Sequence, residues 1–269
     1  MTSTQDNIVT RKNWLHDVRL VIHQTKFEQL FFWLNRVGAI FTVGFSVVFL
    51  VLLGASAGNQ IVASLGGIRL VQYYVPGFIA YGVMAAGFTT LAITIVVRRE
   101  TGLLKRLRLS PLPAWVLIAS IFISTTIVAL VQTFLLLVIG RFGYHVNFPT
   151  SWSAMFIAIL LGIMSFSAMG VAISSVVPNQ EAAGPVTSIV FFVLLFLAGL
   201  WFPLPPGSGL AKFSNYLPVR HLMIAMDRSF EIPKGVSPWA WHDLLVIGLW
   251  GVGATLVSLR RFRWSPRRT

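Results

Sequence analysis

The few side chains that could carry acid–base chemistry cluster in the last quarter of the chain. They are His221, Asp227, Glu231, His242 and Asp243. Asp227 and Glu231 lie four residues apart, so on a helix they would share one face. None of the five residues falls at the spacing of a catalytic pair or triad. The pattern allows an acid–base site, but it does not specify a reaction.

Two arginines beside these carboxylates, Arg220 and Arg228, favour a simpler interpretation, an external ion-pair patch. The sequence contains no GxxxxGK[ST] phosphate-binding loop, no HExxH zinc sequence and no GxSxG nucleophile elbow. Because cysteine is absent, it also has no thiolate metal ligand and no Cys nucleophile. We therefore predict that the chain is not an enzyme and has no metal site and no cofactor of its own.

The composition indicates where these residues must lie. Of 269 residues, 56% are hydrophobic and 11% are charged, whereas a soluble domain carries about 25% charged residues. Six stretches reach the roughly 20 apolar residues needed to cross a bilayer as a helix, and the alternating pattern of a membrane barrel is absent. The predicted fold class is an all-α polytopic membrane protein, one domain over residues 1–269. Its six transmembrane helices are predicted at residues 37–57, 75–97, 114–140, 152–177, 182–202 and 239–259.

The distribution of Lys and Arg predicts the orientation. If both termini are cytoplasmic, most of the 21 Lys and Arg residues fall on the cytoplasmic side, as the positive-inside rule requires. The net charge of +13 then anchors the protein to anionic lipid. We expect membrane lipids and no nucleic acid as partners, although the basic tail Arg260–Arg268 leaves a nucleic-acid alternative open.

An amphipathic helix is predicted before the first span, over residues 14–36. Trp14, Val18 and Ile22 fall on one face at helical spacing, and His16 and Arg19 fall on another. A helix of this kind lies in the plane of the membrane interface.

The longest cytoplasmic loop follows the second span and reads RRETGLLKRLRLSPLP. It predicts a short helix, residues 98–109, which ends before Pro111. Leu103, Leu104 and Leu107 form an apolar stripe that an ordinary loop does not need. Such a stripe suits docking into a groove on another protein.

A long segment separates the fifth and sixth spans, residues 203–238. It is too apolar for a solvated loop, and prolines divide it into two helical pieces near Leu210–Tyr216 and Val219–Phe230. Irregular backbone at membrane depth must be covered by protein or line a cavity. We therefore expect an extracellular re-entrant segment that dips into the outer leaflet and caps a pathway.

The predicted spans differ from those of proton-coupled membrane proteins in their charge content. The first five contain no Asp, Glu, Lys, Arg or His, whereas proton-coupled transporters carry ionisable residues within the membrane. If the protein moves a solute against a gradient, a partner must supply the energy.

Small residues recur at multiples of four along the fourth span. They let helix backbones approach closely, and we expect them to pack inside the chain rather than at a dimer seam. They are Ala154, Ala158, Gly162, Gly170 and Ser174.

Over nearly its whole length the chain resembles the membrane-spanning permease of a type-2 ATP-binding-cassette (ABC) exporter. In that family the loop after the second span reads as an acidic residue, a Gly, a Leu-Lys-Arg-Leu-like run and a Pro. The matching residues here are Glu100, Gly102, Leu104, Lys105, Arg106, Leu107 and Pro111. The outer motif of the family matches Gly199, Phe202, Pro203, Pro206, Pro218 and Arg228. Gly207-Ser208-Gly209 departs from the pattern, where an apolar residue is expected to continue the first re-entrant helix.

The resemblance implies the partners. The loop after the second span is the coupling helix, which sits in a cleft of a separate P-loop ATPase subunit present in two copies. Two permease chains, a homodimer or a paralogous heterodimer, form the pathway in a bacterial inner membrane, and ATP and Mg are bound by the ATPase. The residues implied in coupling are Glu100, Gly102, Leu103, Leu104, Lys105, Arg106, Leu107 and Pro111.

The function that follows is ATP-driven export of a hydrophobic or amphiphilic substrate, such as a drug, lipid or glycolipid. Export of a polysaccharide or lipid-linked glycan is an alternative, and an integral-membrane lipid-modifying enzyme is an alternative of another class. The substrate pathway is predicted to include Phe88, Thr89, Thr90, Thr94, Ser188 and Phe192. Helix packing, with hydroxyls bonded to backbone carbonyls, is the other role open to these residues.

Overall fold

The computed structural model of the chain describes residues 14–62, 67–109, 112–201, 204 and 207–261. Within these residues the chain is helical apart from turns and one short ribbon. In the ribbon β1 (Ile61–Val62) pairs with β2 (Ile68–Arg69) in antiparallel fashion. The ribbon joins the first two spans.

Six helices in the described part of the chain are long and apolar enough to cross a membrane, which confirms the predicted fold class. They are α2 (Arg36–Ala57), α3 (Leu70–Glu100), α5 (Trp115–Gly143), α6 (Trp152–Ser174), α7 (Gln180–Ala198) and α10 (Trp241–Arg261). Four further helices are α1 (Trp14–Leu34), α4 (Leu103–Leu109), α8 (Gly209–Ser214) and α9 (Pro218–Ser229).

The second span, α3, is longer at both ends than its apolar run predicts. At its start, the backbone N–H of Arg69 donates to the Gln72 side chain at 3.2 Å and closes the first turn. At its far end α3 continues to Glu100, so the predicted single helix over residues 98–109 is wrong. Gly102 adopts a φ of +70°, a left-handed conformation that glycine tolerates, and α4 begins only after this turn.

Two of the π-helical turns in the described spans meet each other. They lie at Ile40–Gly44 in α2 and at Ala85–Thr90 in α3. Thr42 Oγ1 and Thr90 Oγ1 are 3.0 Å apart and share a hydrogen bond. Because π turns occur frequently at functional positions, the face of α3 that contacts α2 is a candidate functional surface.

The five small residues of the predicted stripe are all buried in α6. A Cβ on Gly170 would lie 2.7 Å from the carbonyl oxygen of Phe88 in α3. One on Gly162 would lie 2.9 Å from Val83 and 3.0 Å from Leu222. The stripe therefore packs inside the chain, as the spacing predicts.

The segment between α7 and α10 folds back among the spans. α7 ends at Ala198 and not at the predicted residue 202, because Gly199 adopts a φ of 83°. The unexpected Gly-Ser-Gly sequence starts α8, where the Ser208 hydroxyl accepts the N–H of Ala211 at 3.2 Å. α9 packs against α3, α6, α7 and α10. Its Leu222 approaches α6 about 15 Å from the start of that helix, so α9 lies beside the middle of a span.

Candidate functional site

A cavity of about 390 Å³ lies between α1, α3 and α5, near the end of α3 that leads into α4. Its walls are mainly apolar, and the hydroxyls of Thr90, Thr94 and Thr125 provide polar points. Glu28 and Arg98 form one border. The volume falls in the range of about 300–1,000 Å³ that is typical of small-molecule sites.

Glu28 and Arg98 form a buried ion pair at this cavity. Arg98 Nη1 donates to Glu28 Oε1 at 3.0 Å, and Nη2 donates to Oε2 at 2.5 Å. The two side chains are only 9% and 7% exposed, respectively, and the guanidinium lies 5.8 Å from the centroid of the Phe31 ring. Two parallel hydrogen bonds of this kind set the geometry as well as the strength of the contact. The pair joins residues 70 positions apart and fixes α1 against the end of α3.

Arg99, the next residue, is anchored on the other side. Its Nη1 donates to the carbonyl of Ser174 at 3.0 Å, and its Nη2 donates to the carbonyl of Val177 at 2.8 Å. A helix leaves its last carbonyls unpaired, and a cation at that end is favoured by the helix dipole. Glu100 accepts from Arg99 Nε at 3.0 Å. Arg98 and Arg99 thus hold the end of α3 between α1 and α6.

The short helix α4 is fastened to the bundle by Leu104. This side chain is 4% exposed and packs with Leu91 and Ile95 of α3. The exposed side of α4 carries the basic residues Lys105 and Arg106, and the exposed apolar residue Leu109 lies at the end of the helix.

The structure changes the expectation for the apolar stripe of this helix. The prediction that Leu104 faces outward to dock a partner is wrong, because this side chain is buried against its own chain. Leu103 is partly buried. The side chain of Leu107, and Pro111, lie outside the described residues. On the exposed side of α4 the structure has basic side chains where the sequence pattern emphasised leucines.

The predicted substrate-pathway residues do not form one site. Thr90 and Thr94 line the cavity, whereas Phe88 is 2% exposed in the core. Ser188 and Phe192 lie on α7 and do not line the cavity, and Phe192 is 52% exposed. The Thr89 hydroxyl is buried without a hydrogen-bond partner among the described residues.

The described residues of the outer motif lie at the opposite end of α3. The carbonyl of Gly199 accepts the hydroxyl of Tyr73 at 2.5 Å, and Pro218 occupies the first turn of α9. Arg228 lines a second cavity, of about 270 Å³, together with Tyr73, Arg220 and Asp227. The remaining predicted members of the motif lie outside the described residues: Phe202, Pro203 and Pro206.

Comparison with known proteins agrees with this arrangement. The family model described as "ABC-2 family transporter protein" matches residues 59–260, which include α4 and every span after α2. The chain belongs to this family. The resemblance to a type-2 ABC permease is therefore confirmed, and the protein is a multi-pass membrane subunit for transport.

Two curated proteins are similar in sequence to this permease. The putative transport permease YvfS of Bacillus subtilis is 25% identical over 180 residues, which cover 65% of this chain and 70% of YvfS. The probable multidrug ABC transporter permease YbhR of Escherichia coli K12 is 27% identical over 111 residues, which cover 41% of this chain and 30% of YbhR.

The histidine–carboxylate cluster of the permease joins α9 to α10. His221 Nδ1 lies 2.7 Å from Asp243 Oδ1, and Nε2 lies 2.8 Å from the carbonyl oxygen of Asn215. Burial opposes the charged imidazolium, but the hydrogen bonds with Asp243 and Asn215 outweigh it and raise the pKa of His221. Although His221, His242 and Asp243 place ligand atoms within 4.8 Å of one another, a ring with an acceptor at each nitrogen has no lone pair free for a metal. The cluster is a structural link in this arrangement.

The two outer carboxylates do not form a pair. α9 ends at Ser229, so Asp227 and Glu231 do not share a helix face, contrary to the prediction. Glu231 instead accepts the backbone N–H of Gly235 at 3.3 Å. Burial raises the pKa of Asp227 well above its usual value, with Arg220 opposing the rise. No ion pair of Asp227 occurs among the described residues, so the expected ion-pair patch is wrong for this residue.

The sequence analysis missed the two anchors of the permease at Glu28 and at the Arg98–Arg99 pair. Arg98 and Arg99 counted only as positive-inside charges. Two signals were available: Glu28 is an acidic residue in a helix with a basic face, and the two arginines directly follow an uncharged span.

Proposed function

We propose that this ABC-2 permease is the transmembrane subunit of an ATP-driven exporter for hydrophobic or amphiphilic molecules, such as drugs, lipids or glycolipids. Two permease chains pair in a bacterial plasma membrane with all termini in the cytoplasm. Each chain docks one copy of a separate P-loop ATPase, which binds the ATP and Mg. The docking surface is the exposed side of α4.

The anchoring of the α3–α4 junction is the observation that carries this proposal. Arg98 ties the end of α3 to α1, Arg99 ties it to the end of α6, and Leu104 packs α4 onto α3. A displacement of α4 therefore moves α1, α3 and α6 together, since these side-chain contacts join all three helices to the α3–α4 junction. This is the mechanical property that a permease needs if its energy is delivered at α4.

The position of the 390 Å³ cavity supports an amphiphilic substrate. It borders the same ion pair that anchors α3, so a shift of this junction changes its shape. Apolar walls with a few hydroxyl groups accommodate a molecule that has both an apolar body and polar groups. Thr90 and Thr94 are the predicted pathway residues that such a molecule would contact.

A charge-reversal experiment tests the docking surface. The double variant Lys105→Glu with Arg106→Glu should lose the co-purifying ATPase, because both side chains are exposed and the change reverses the charge of the surface. Membrane insertion and thermal stability should stay unchanged, since exposed substitutions cost about 0.5 kcal/mol or less. The measurement is stoichiometric recovery of a P-loop ATPase, with its ATPase activity, from native membranes in mild detergent.

A matched control uses the other basic pair on the proposed cytoplasmic side. Arg260→Glu with Arg261→Glu reverses two exposed charges at the end of α10 and should retain the ATPase. A wild-type permease that elutes without an ATPase, or a Lys105→Glu/Arg106→Glu variant that retains it fully, contradicts the proposal.

Substrate class is then tested on the intact complex. ATP-dependent movement of a fluorescent dye or of an NBD-labelled phospholipid in inverted vesicles is the expected result. If the complex hydrolyses ATP but moves neither probe, glycan export becomes the better explanation.

A further inference from the structure

The second cavity, of about 270 Å³, lies where α9 meets the start of α3. Tyr73 lines it, and about 38 Å of helix separates Tyr73 from Arg98 at 1.5 Å per residue. This length exceeds the roughly 30 Å of a bilayer core. The cavity is therefore on the opposite side of the membrane from α4 and from the coupling surface.

The wall of this cavity combines two guanidinium groups with one carboxyl. Arg220 and Asp227 are seven residues apart on α9, almost two turns, so they lie on the same side of the helix. Arg220 Nη1 donates to the carbonyl of Ala198 at 3.1 Å, which fixes the guanidinium at the end of α7. Arg228 adds the second cation.

Two polar atoms in this wall are buried without a hydrogen-bond partner among the described residues, Arg220 Nε and Asp227 Oδ1. The large majority of buried polar side-chain atoms in native structures have a partner. Burial also raises the pKa of Asp227, with Arg220 opposing the rise. The Tyr73 hydroxyl already donates to Gly199, so it offers the cavity only an acceptor. A donor placed near Asp227 is what the site lacks.

We propose that this cavity binds a phosphoethanolamine group, with its phosphate on Arg220 and Arg228 and its ammonium on Asp227. Planar guanidinium groups bind phosphate through paired N–H donors, and a primary ammonium brings three donors to a carboxylate and to the Tyr73 oxygen. The volume is below that of sites for drug-sized ligands and suits a headgroup. A trimethylammonium group has no N–H donor, so the site discriminates against phosphocholine. This inference does not depend on the exported substrate or on the ATPase.

The test measures binding to the purified full-length permease in detergent by native mass spectrometry, without ATP. Phosphatidylethanolamine, phosphatidylcholine and phosphatidylglycerol with identical acyl chains are offered at equal concentration. We expect about a tenfold or greater preference for phosphatidylethanolamine, because only its headgroup brings a cationic N–H donor to Asp227. Soluble O-phosphoethanolamine is titrated in a separate arm.

Two variants separate the two halves of the site. Asp227→Asn, which keeps the side-chain shape, should abolish the preference for ethanolamine over choline, whereas Arg220→Gln should weaken all three lipids. Glu231→Gln is the matched control, because it removes a carboxylate at the same end of the protein but outside the cavity wall. Thermal unfolding of each variant checks that the fold is retained.

The outcomes distinguish the source of the ligand. Lipid selectivity that Asp227→Asn abolishes supports the site with a membrane lipid as ligand. Saturable binding of O-phosphoethanolamine that the same variant abolishes supports it with a soluble ligand. If the wild type shows neither, or if Asp227→Asn leaves both unchanged, the proposal is overturned.

Discussion

Replacing Glu28 by alanine should destabilise the permease by about 3–5 kcal/mol, the usual cost of removing one partner from a buried ion pair. Both side chains of the pair are less than a tenth exposed, so solvent cannot replace the lost carboxylate. Arg98 would lose two hydrogen bonds at once, and its Nε already has no partner among the described residues. The Phe31 ring, 5.8 Å away, would be the main remaining contact of its charge.

A double variant identifies the cause of that loss. Glu28→Leu with Arg98→Met replaces both charges by apolar side chains of similar length. Such replacements of a whole buried pair are often neutral or stabilising, so the double variant should recover most of the stability that Glu28→Ala loses. If lost packing were the cause, the double variant would not recover it.

The assay is reversible unfolding of the purified permease in mixed micelles with increasing SDS. Free energies of unfolding are compared with the same slope of free energy against SDS content for every variant. Glu181→Gln on α7 is the control, because Glu181 is exposed and its change should cost about 0.5 kcal/mol or less. A cost below about 1 kcal/mol for Glu28→Ala, which is the value of a solvent-exposed pair, would refute the reasoning.

Two further predictions concern packing and pH. Gly170→Ala should lower the free energy of unfolding by about 1–3 kcal/mol. Its methyl group would lie 2.7 Å from the Phe88 carbonyl oxygen, which belongs to rigid backbone. Gly184→Ala, whose methyl group would meet nothing within 4 Å, is the control in the same unfolding assay. The contact of His221 with Asp243 should stabilise the fold fully below the unfolded histidine pKa of about 6.5, because the folded pKa is raised. This contribution should disappear as the pH rises through the folded pKa. The unfolding temperature of His221→Gln should lack that part of the pH dependence, and a parallel shift at all pH values would contradict the assignment.

Much of the architecture could be predicted because its physical cause is local. A helix that crosses the bilayer must be apolar along its whole length, so six spans appear as six apolar runs. The stripe of small residues in the fourth span predicts close helix packing from its spacing alone, and all five of its residues are buried in α6. Span ends were less predictable. α3 runs on to Glu100, where Glu28 pairs with Arg98 and the carbonyls of Ser174 and Val177 accept hydrogen bonds from Arg99.

A short helix after the second span was predicted, but not which of its sides is buried. The loop after the second span was recognised by its residues, yet Leu104 turns towards the bundle and leaves Lys105 and Arg106 outside. The apolar stripe of such a short helix can pack on a partner or on its own chain, so only its neighbours determine which of the two it contacts. Similarly, the outer carboxylates looked like a helical pair until the end of α9 separated them.

The sequence by itself determined that this protein crosses the membrane six times, that its first five predicted spans carry no ionisable side chain, and that it resembles an ABC permease. These properties follow from composition and from short runs of residues. Only the tertiary structure decided that Glu28 pairs with Arg98, that Arg99 holds the end of α6, and that Arg220 and Asp227 line one cavity. A buried charge needs a partner, but the sequence contains many candidate partners for each charge. Which one is used depends on how the helices pack, because packing brings residues 70 positions apart to within 3.0 Å.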